Sequence, residues 1–124
     1  MCNEYREYVF DFEKLDVYQL ALKFITKVFK IYRKLPREYR YSIGGQFTRA
    51  ALSIANNIAE GSGKISKAGK AQFYYIALNS GRECVPMITL LLSEKQIIKE
   101  DHQNLRLDCV HICNKLGKLI GSLK

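Results

Sequence analysis

The chain has 124 residues, 48% of them hydrophobic and 26% charged, and a formal net charge of +8 from 20 Lys and Arg against 12 Asp and Glu. This is the length of one domain and the composition of a folded one, so a disordered chain is excluded. No apolar run approaches the ~20 residues of a membrane-spanning helix, which excludes an integral helical membrane protein, and the charge favours anionic partners.

Met1 to Phe12 holds Glu4, Glu7 and Asp11 and lacks the apolar stretch of a secretory signal. Residues 1–12 are therefore expected to be an N-terminal arm on a cytoplasmic protein, with one domain over 13–124. A first helix is expected from about Asp16 to Leu35, where Val17, Ala21, Phe24, Val28, Ile31 and Leu35 recur at helical spacing and Pro36 ends the run. After a linker from Arg37 to Tyr41, a second helix from about Ser42 to Glu60 carries Ile43, Phe47, Ala50, Ile54 and Ile58 on one side, and Gly61 and Gly63 stop it. The third starts at Ser66, a good N-cap residue, and runs to about Glu94 with a seam of Phe73, Ala77, Ser80, Cys84, Met87 and Leu91. Within it, Pro86 predicts a kink over Arg82 to Val85, and Gly81 permits close approach by another backbone. The fourth runs from about Asp101 nearly to the end, with Leu105, Cys109, Ile112, Leu116, Leu119 and Leu123 as its seam. No segment alternates like a strand. Steps of three and four mean nearly parallel axes, and short connections make neighbours antiparallel. The predicted fold is all-α, an up-down-up-down four-helix bundle.

The first helix has a second apolar stripe, Tyr18, Leu22, Ile25, Phe29 and Tyr32, and the third has another, Tyr74, Leu78, Gly81, Val85, Ile88 and Leu92. A helix apolar nearly all round should be buried nearly all round, which one bundle does not provide. The surplus predicts a homo-oligomer with the first-helix stripe at its interface. The plainer alternative leaves the tyrosine hydroxyls in water on the surface.

Cys84, Cys109 and Cys113 fall within apolar helical patterns and read as small hydrophobes; Cys2 lies in the arm. Cys109, His111 and Cys113 do not make a zinc site, because His111 points away from the cysteine pair and no second ligand pair exists. No metal and no cofactor are expected. The connection Gly61-Ser62-Gly63-Lys64-Ile65-Ser66 resembles a phosphate loop but has Ile58 and Ile65 where the motif needs Gly and Ser or Thr, and it follows a helix. Lys64, Lys67 and Lys70 still gather at a helix N-terminus, which favours an anion. Lys23, Lys27, Lys30 and Lys34 form a basic stripe with Arg33 and Arg37 beside it, and no acidic residue lies between Asp16 and Glu38. Such a stripe tracks phosphates, although a charged helix face is often only solvated. Gln46, Arg49, Ser53, Asn57 and Glu60 make a polar line on the second helix, and a buried network with Glu83, for instance Arg49 to Glu83, is expected. His102 and His111 join no base–nucleophile pair, so no enzyme is predicted.

Gln46, Arg49-Ala50-Ala51 and the run Ser53-Ile54-Ala55-Asn56-Asn57-Ile58-Ala59-Glu60-Gly61 resemble the signature of the 23S rRNA intervening-sequence protein family. Phe12 to Tyr18 resembles the family's opening, and Phe73, Tyr75-Ile76-Ala77-Leu78, Ser80 and Glu83 its third helix. The resemblance implies a four-helix bundle, relatives that assemble into homopentameric rings, and one branch, the accessory variability determinants of diversity-generating retroelements, that binds a reverse transcriptase and RNA. The resulting expectation is a non-enzymatic, RNA-binding oligomeric adaptor that uses the lysine stripe and has no membrane partner. The alternative is a protein-binding scaffold for an acidic partner or a reverse transcriptase, without RNA contact.

Overall fold

The four apolar seams become four long helices in a computed structural model, which describes residues 8–124: α1 (Asp16–Lys34), α2 (Gly45–Ser62), α3 (Lys67–Ser93) and α4 (Lys99–Gly121). No strand occurs among the described residues. The first seven residues of the expected arm, Cys2 among them, lie outside these. The rest of the arm folds back onto α1 through a single 3₁₀ turn, Asp11–Lys14. The Glu13 carboxylate accepts from the Phe10 amide at 2.9 Å, and the Phe12 ring packs edge-on against Tyr18 at 5.0 Å.

The expected linker from Arg37 to Tyr41 is helical. Pro36 has φ near −57°, a value already suited to a helix start, and it needs no amide partner there. A turn at Arg37–Tyr39 passes into a π-helical turn at Arg40–Gly44 and then directly into α2. This wide turn brings Gly44 so close to α1 that a Cβ there would lie 2.9 Å from Leu35 Cδ1.

Gly61 does not stop α2, which runs through it to Ser62. Its role is packing: a Cβ at Gly61 would lie 2.9 Å from Tyr74 Cε1 on α3. That close approach lets the Tyr74 hydroxyl and Ser62 Oγ hydrogen-bond at 2.9 Å, both residues being buried. Ser66 caps α3 as expected, its Oγ accepting from the Gly69 amide at 2.9 Å. Pro86 does not break α3; it and Arg82, whose carbonyl it leaves without an amide partner, both lie on the exposed side of one continuous helix. Gly81 admits a side chain and not a backbone, since its Cβ position would be 3.1 Å from Cys113 Sγ on α4. α3 ends in a Schellman motif. The Gln96 amide donates to Leu91 O at 2.9 Å and the Lys95 amide to Leu92 O at 3.0 Å, with Lys95 at φ 59°.

All four seams enter one core, in which Phe24, Phe47, Ile54, Ile58, Leu91 and Ile112 are fully buried. Phe24 and Phe47 meet edge to face at 6.2 Å, joining α1 to α2. Ser53 pairs with Ser80 and Ser62 with Tyr74 between α2 and α3; Lys27 pairs with Asp108 and Asp16 with Lys115 between α1 and α4.

Candidate nucleic-acid interface

The α1 stripe splits into two kinds of lysine. Lys27 Nζ donates to Asp108 Oδ2 and to Asn104 Oδ1, each at 2.8 Å, so α4 neutralises it. Lys23, Lys30, Lys34, Arg33 and Arg37 are exposed and form no ion pair among the described residues. Instead of lying opposite all apolar contacts, the C-terminal half of the stripe borders a groove between α1 and α4 of about 290 Å³. Lys27, Lys30 and Lys34 form one wall and Asp101, Asn104 and Gln96 the other, over a floor of Ile31, Ile97 and Leu105. Sequence reasoning missed the α4 wall. Its signal is present: Asp101, Asn104 and Asp108 recur three then four residues apart, the spacing of the lysines they face.

The second basic cluster is mostly engaged in holding the α2–α3 connection. Lys64 lies 3.5 Å from Glu60 and 4.9 Å from the centre of the Phe73 ring. Lys70 Nζ donates to Ser62 O at 2.8 Å, satisfying a carbonyl at the end of α2. Lys67 is exposed and forms no ion pair among the described residues.

The expected buried network is smaller than read. Asn57 Nδ2 donates to Ser53 O and Oγ at 2.8 and 3.0 Å, and Ser80 Oγ lies 2.8 Å from Ser53 Oγ. Gln46, Arg49, Glu60 and Glu83 are exposed, and Arg49 and Glu83 form no ion pair among the described residues. They sit on the edges of α2 and α3, where long side chains reach water, and with Gln46 they rim a hollow of about 440 Å³. The second apolar stripes are largely used within the chain. Ile25 is buried, Tyr18 and Phe29 pack against the core, and the half-buried Tyr32 meets the Phe29 ring edge to face at 6.3 Å, which leaves Leu22 at 37% exposure. On α3, Tyr74, Gly81 and Ile88 are buried because that helix packs against both α2 and α4. Its open side instead carries Tyr75, Ile76 and Leu90, a set that the seam analysis did not isolate.

Cys84 and Cys109 are buried across the α3–α4 contact. A hydrogen bond with Cys109, added to burial, pushes the Cys84 thiol far above its ordinary range, so it stays protonated and unreactive. Burial also raises the half-buried Cys113. Among the described residues no three His, Cys, Asp or Glu side chains gather as metal ligands would, and no helix is long and apolar enough to cross a membrane.

Residues 13–118 match the family model described as 23S rRNA-intervening sequence protein. The chain belongs to that family. It is also similar to a protein of unknown function from the S23 ribosomal protein family of Bacteroides thetaiotaomicron, whose crystal structure superposes with a TM-score of 0.79 at 25% identity, covering 85% of this chain and 95% of that one. Among proteins of curated function no relative matches. In this member of the 23S rRNA-intervening sequence protein family, the matched region holds α1, α2, α3 and most of α4, with both walls of the groove. The run from Ser53 to Gly61 that resembles the family signature serves structure here. Ser53, held by Asn57 on the same helix, joins α2 to Ser80, Ile54 and Ile58 enter the core, and Gly61 admits Tyr74.

Proposed function

We propose that this protein is a non-enzymatic, RNA-binding oligomeric adaptor of the cytoplasm, built as an up-down-up-down four-helix bundle that assembles into a homopentameric ring. The observation that carries RNA binding is the pair Lys30 and Lys34, exposed, without ion pairs among the described residues and aligned along the α1–α4 groove. With Lys23 they put cations at one helical spacing on one face of α1, flanked by Arg33 and by Arg37 in the turn that follows, on a chain of net charge +8, the arrangement a phosphate backbone favours. The pairing of early residues of one helix with late residues of its neighbour, Asp16 with Lys115 and Ser62 with Tyr74, supports the antiparallel arrangement. Exposed Leu22, Tyr75, Ile76 and Leu90 support self-association. The family resemblance alone supports the number five and the kinship with accessory variability determinants, with a reverse transcriptase as protein partner.

Filter binding of labelled RNA over a range of salt concentrations tests the reading. Changing Lys23, Lys27, Lys30 and Lys34 together to Gln flattens the salt dependence and weakens binding while the oligomer persists. Equal affinity and slope in the wild type and the quadruple variant refute the site. Capture of an acidic protein with no RNA affinity at low salt replaces this reading with a protein scaffold.

A further inference from the structure

A phosphate-tracking surface needs only cations, and this groove has more than cations. Its floor is apolar: Ile97 and Leu105 are buried beneath it and Ile31 is half-buried beside them. Its α4 side supplies hydrogen-bonding groups with capacity to spare. Asn104 accepts from Lys27 through Oδ1, and its Nδ2 makes no hydrogen bond among the described residues. Gln96 donates to Glu94 O through Nε2 at 3.0 Å, and its Oε1 is likewise without a partner there. Asp101 lies in the first turn of α4 and lines the groove with no ion pair among the described residues. The site therefore holds an amide donor, an amide acceptor and a carboxylate around an apolar floor, facing two free ammonium groups across about 290 Å³.

We infer that the α1–α4 groove is a subsite for one unpaired nucleotide, its base lying on Ile31, Ile97 and Leu105, its edge read by Asp101, Asn104 and Gln96, and its phosphate held by Lys30 and Lys34. The inference rests on the RNA-binding reading and makes it specific. A base in a duplex is stacked and its edge paired, so it cannot enter; an unpaired base can, and it brings N–H donors that a carboxylate accepts. The Lys27 contacts to Asp108 and Asn104 hold the Asn104 amide in place, which gives the neutralised lysine a positioning role.

Asp101 provides the decisive test because two readings predict opposite signs. On a surface that only tracks phosphates, removing this carboxylate removes repulsion and raises RNA affinity. In a base subsite it removes the acceptor and lowers it. Fluorescence anisotropy with a labelled single-stranded RNA of about 12 nucleotides, and with the same sequence closed into a hairpin duplex, reads both. Asp101→Ala weakens single-strand binding about tenfold, the loss expected for a hydrogen bond to a charged group, and leaves or raises duplex binding. Gln96→Ala, which changes no charge, also weakens the single strand selectively. Thermal melts check that both variants fold. If Asp101→Ala binds the single strand equally or more tightly, or if the wild type does not prefer it to the duplex, the subsite is refuted while RNA binding stands. If the wild type binds neither probe at low salt, both readings fall.

Discussion

Lys27 Nζ lies 2.8 Å from Asp108 Oδ2, a contact between residues 81 positions apart that removes one cation from the basic stripe of α1. The carboxylate is largely buried and the ammonium is not, with side-chain exposures of 14% and 43%. The stripe therefore divides into a structural lysine and a set of free ones, and the two kinds respond differently to mutation.

Lys27→Gln lowers stability by roughly 1 kcal/mol, the upper range for a partly exposed ion pair, and leaves the salt slope of RNA binding almost unchanged. Lys30→Gln and Lys34→Gln leave stability within about 0.5 kcal/mol and each reduce the slope by about 0.7 for a single strand. Urea melts and salt-dependent filter binding on the three single variants separate the roles. Equal slopes for Lys27→Gln and Lys30→Gln would contradict the division.

The seams of all four helices were legible because burial at helical spacing is a local signal: Phe24, Ile54, Cys84 and Ile112 all lie where their spacing puts them. The Ser66 cap was legible for the same reason, since its partner is three residues away. The missing information concerns how helices dock. Nothing within α1 shows that Lys27 faces Asp108 or that Ile25 turns inward, because both depend on the rotation of α4 and α2 about their own axes. Gly61 reads locally as a stop signal, and only the approach of Tyr74 reveals its packing role. The helical turn after Pro36 is a near miss of the same kind, as a proline that ends one helix can also begin the next.

Gly61 and Tyr74 yield a stability prediction. In Gly61→Ala the new methyl must displace Tyr74 or Phe73, whose atoms stand 2.9 and 3.0 Å from its position, and this costs about 1–3 kcal/mol. Tyr74→Phe keeps the ring but leaves the buried Ser62 hydroxyl without its 2.9 Å partner, which costs about 1–2 kcal/mol. Chemical denaturation of both variants measures these losses; neutral behaviour of Gly61→Ala would mean that the α2–α3 contact is looser than described.

Lys95 has positive φ, 59°, at the residue that closes the Schellman motif after α3. A side chain there opposes the left-handed conformation, which glycine adopts freely. Lys95→Gly should raise stability by about 0.5–1 kcal/mol, the strain relieved less the added entropy of the unfolded chain. Lys95→Ala keeps the Cβ and brings no such gain, so comparing the two melting temperatures isolates the backbone term.

Assembly makes a separate prediction. Because Ile25 and Phe29 are packed within the chain, replacing them disturbs the fold along with any interface. Ile76 and Leu22 are the cleaner probes, at 40% and 37% exposure. Ile76→Glu, beside Tyr75 on the open side of α3, lowers the mass seen by light scattering at micromolar concentration, and Leu22→Glu does so less. Helical circular dichroism is retained in both. A wild type that scatters as a 14.3 kDa particle would refute the oligomer itself.

Asp16 and Lys115 clamp the start of α1 to α4, and their contact predicts a pH dependence. The hydrogen bond from Lys115, together with its charge, holds the Asp16 carboxyl below the ordinary value of 3.8. The folded state therefore binds the proton less readily than the unfolded one. Stability from the pair is complete above 3.8 and is lost as the pH falls through that value towards the lower folded pKa. Lys115→Gln removes the contact without changing helix propensity much. Wild type and variant should therefore differ in urea midpoint at about pH 6 and converge as the solution is acidified below the folded pKa. The carboxylate is open to water, so added salt should shrink the difference as well. A gap between the two proteins that persists undiminished at the acid end would mean that Lys115 stabilises the fold through its methylene stem, and that Asp16 does not sense the fold.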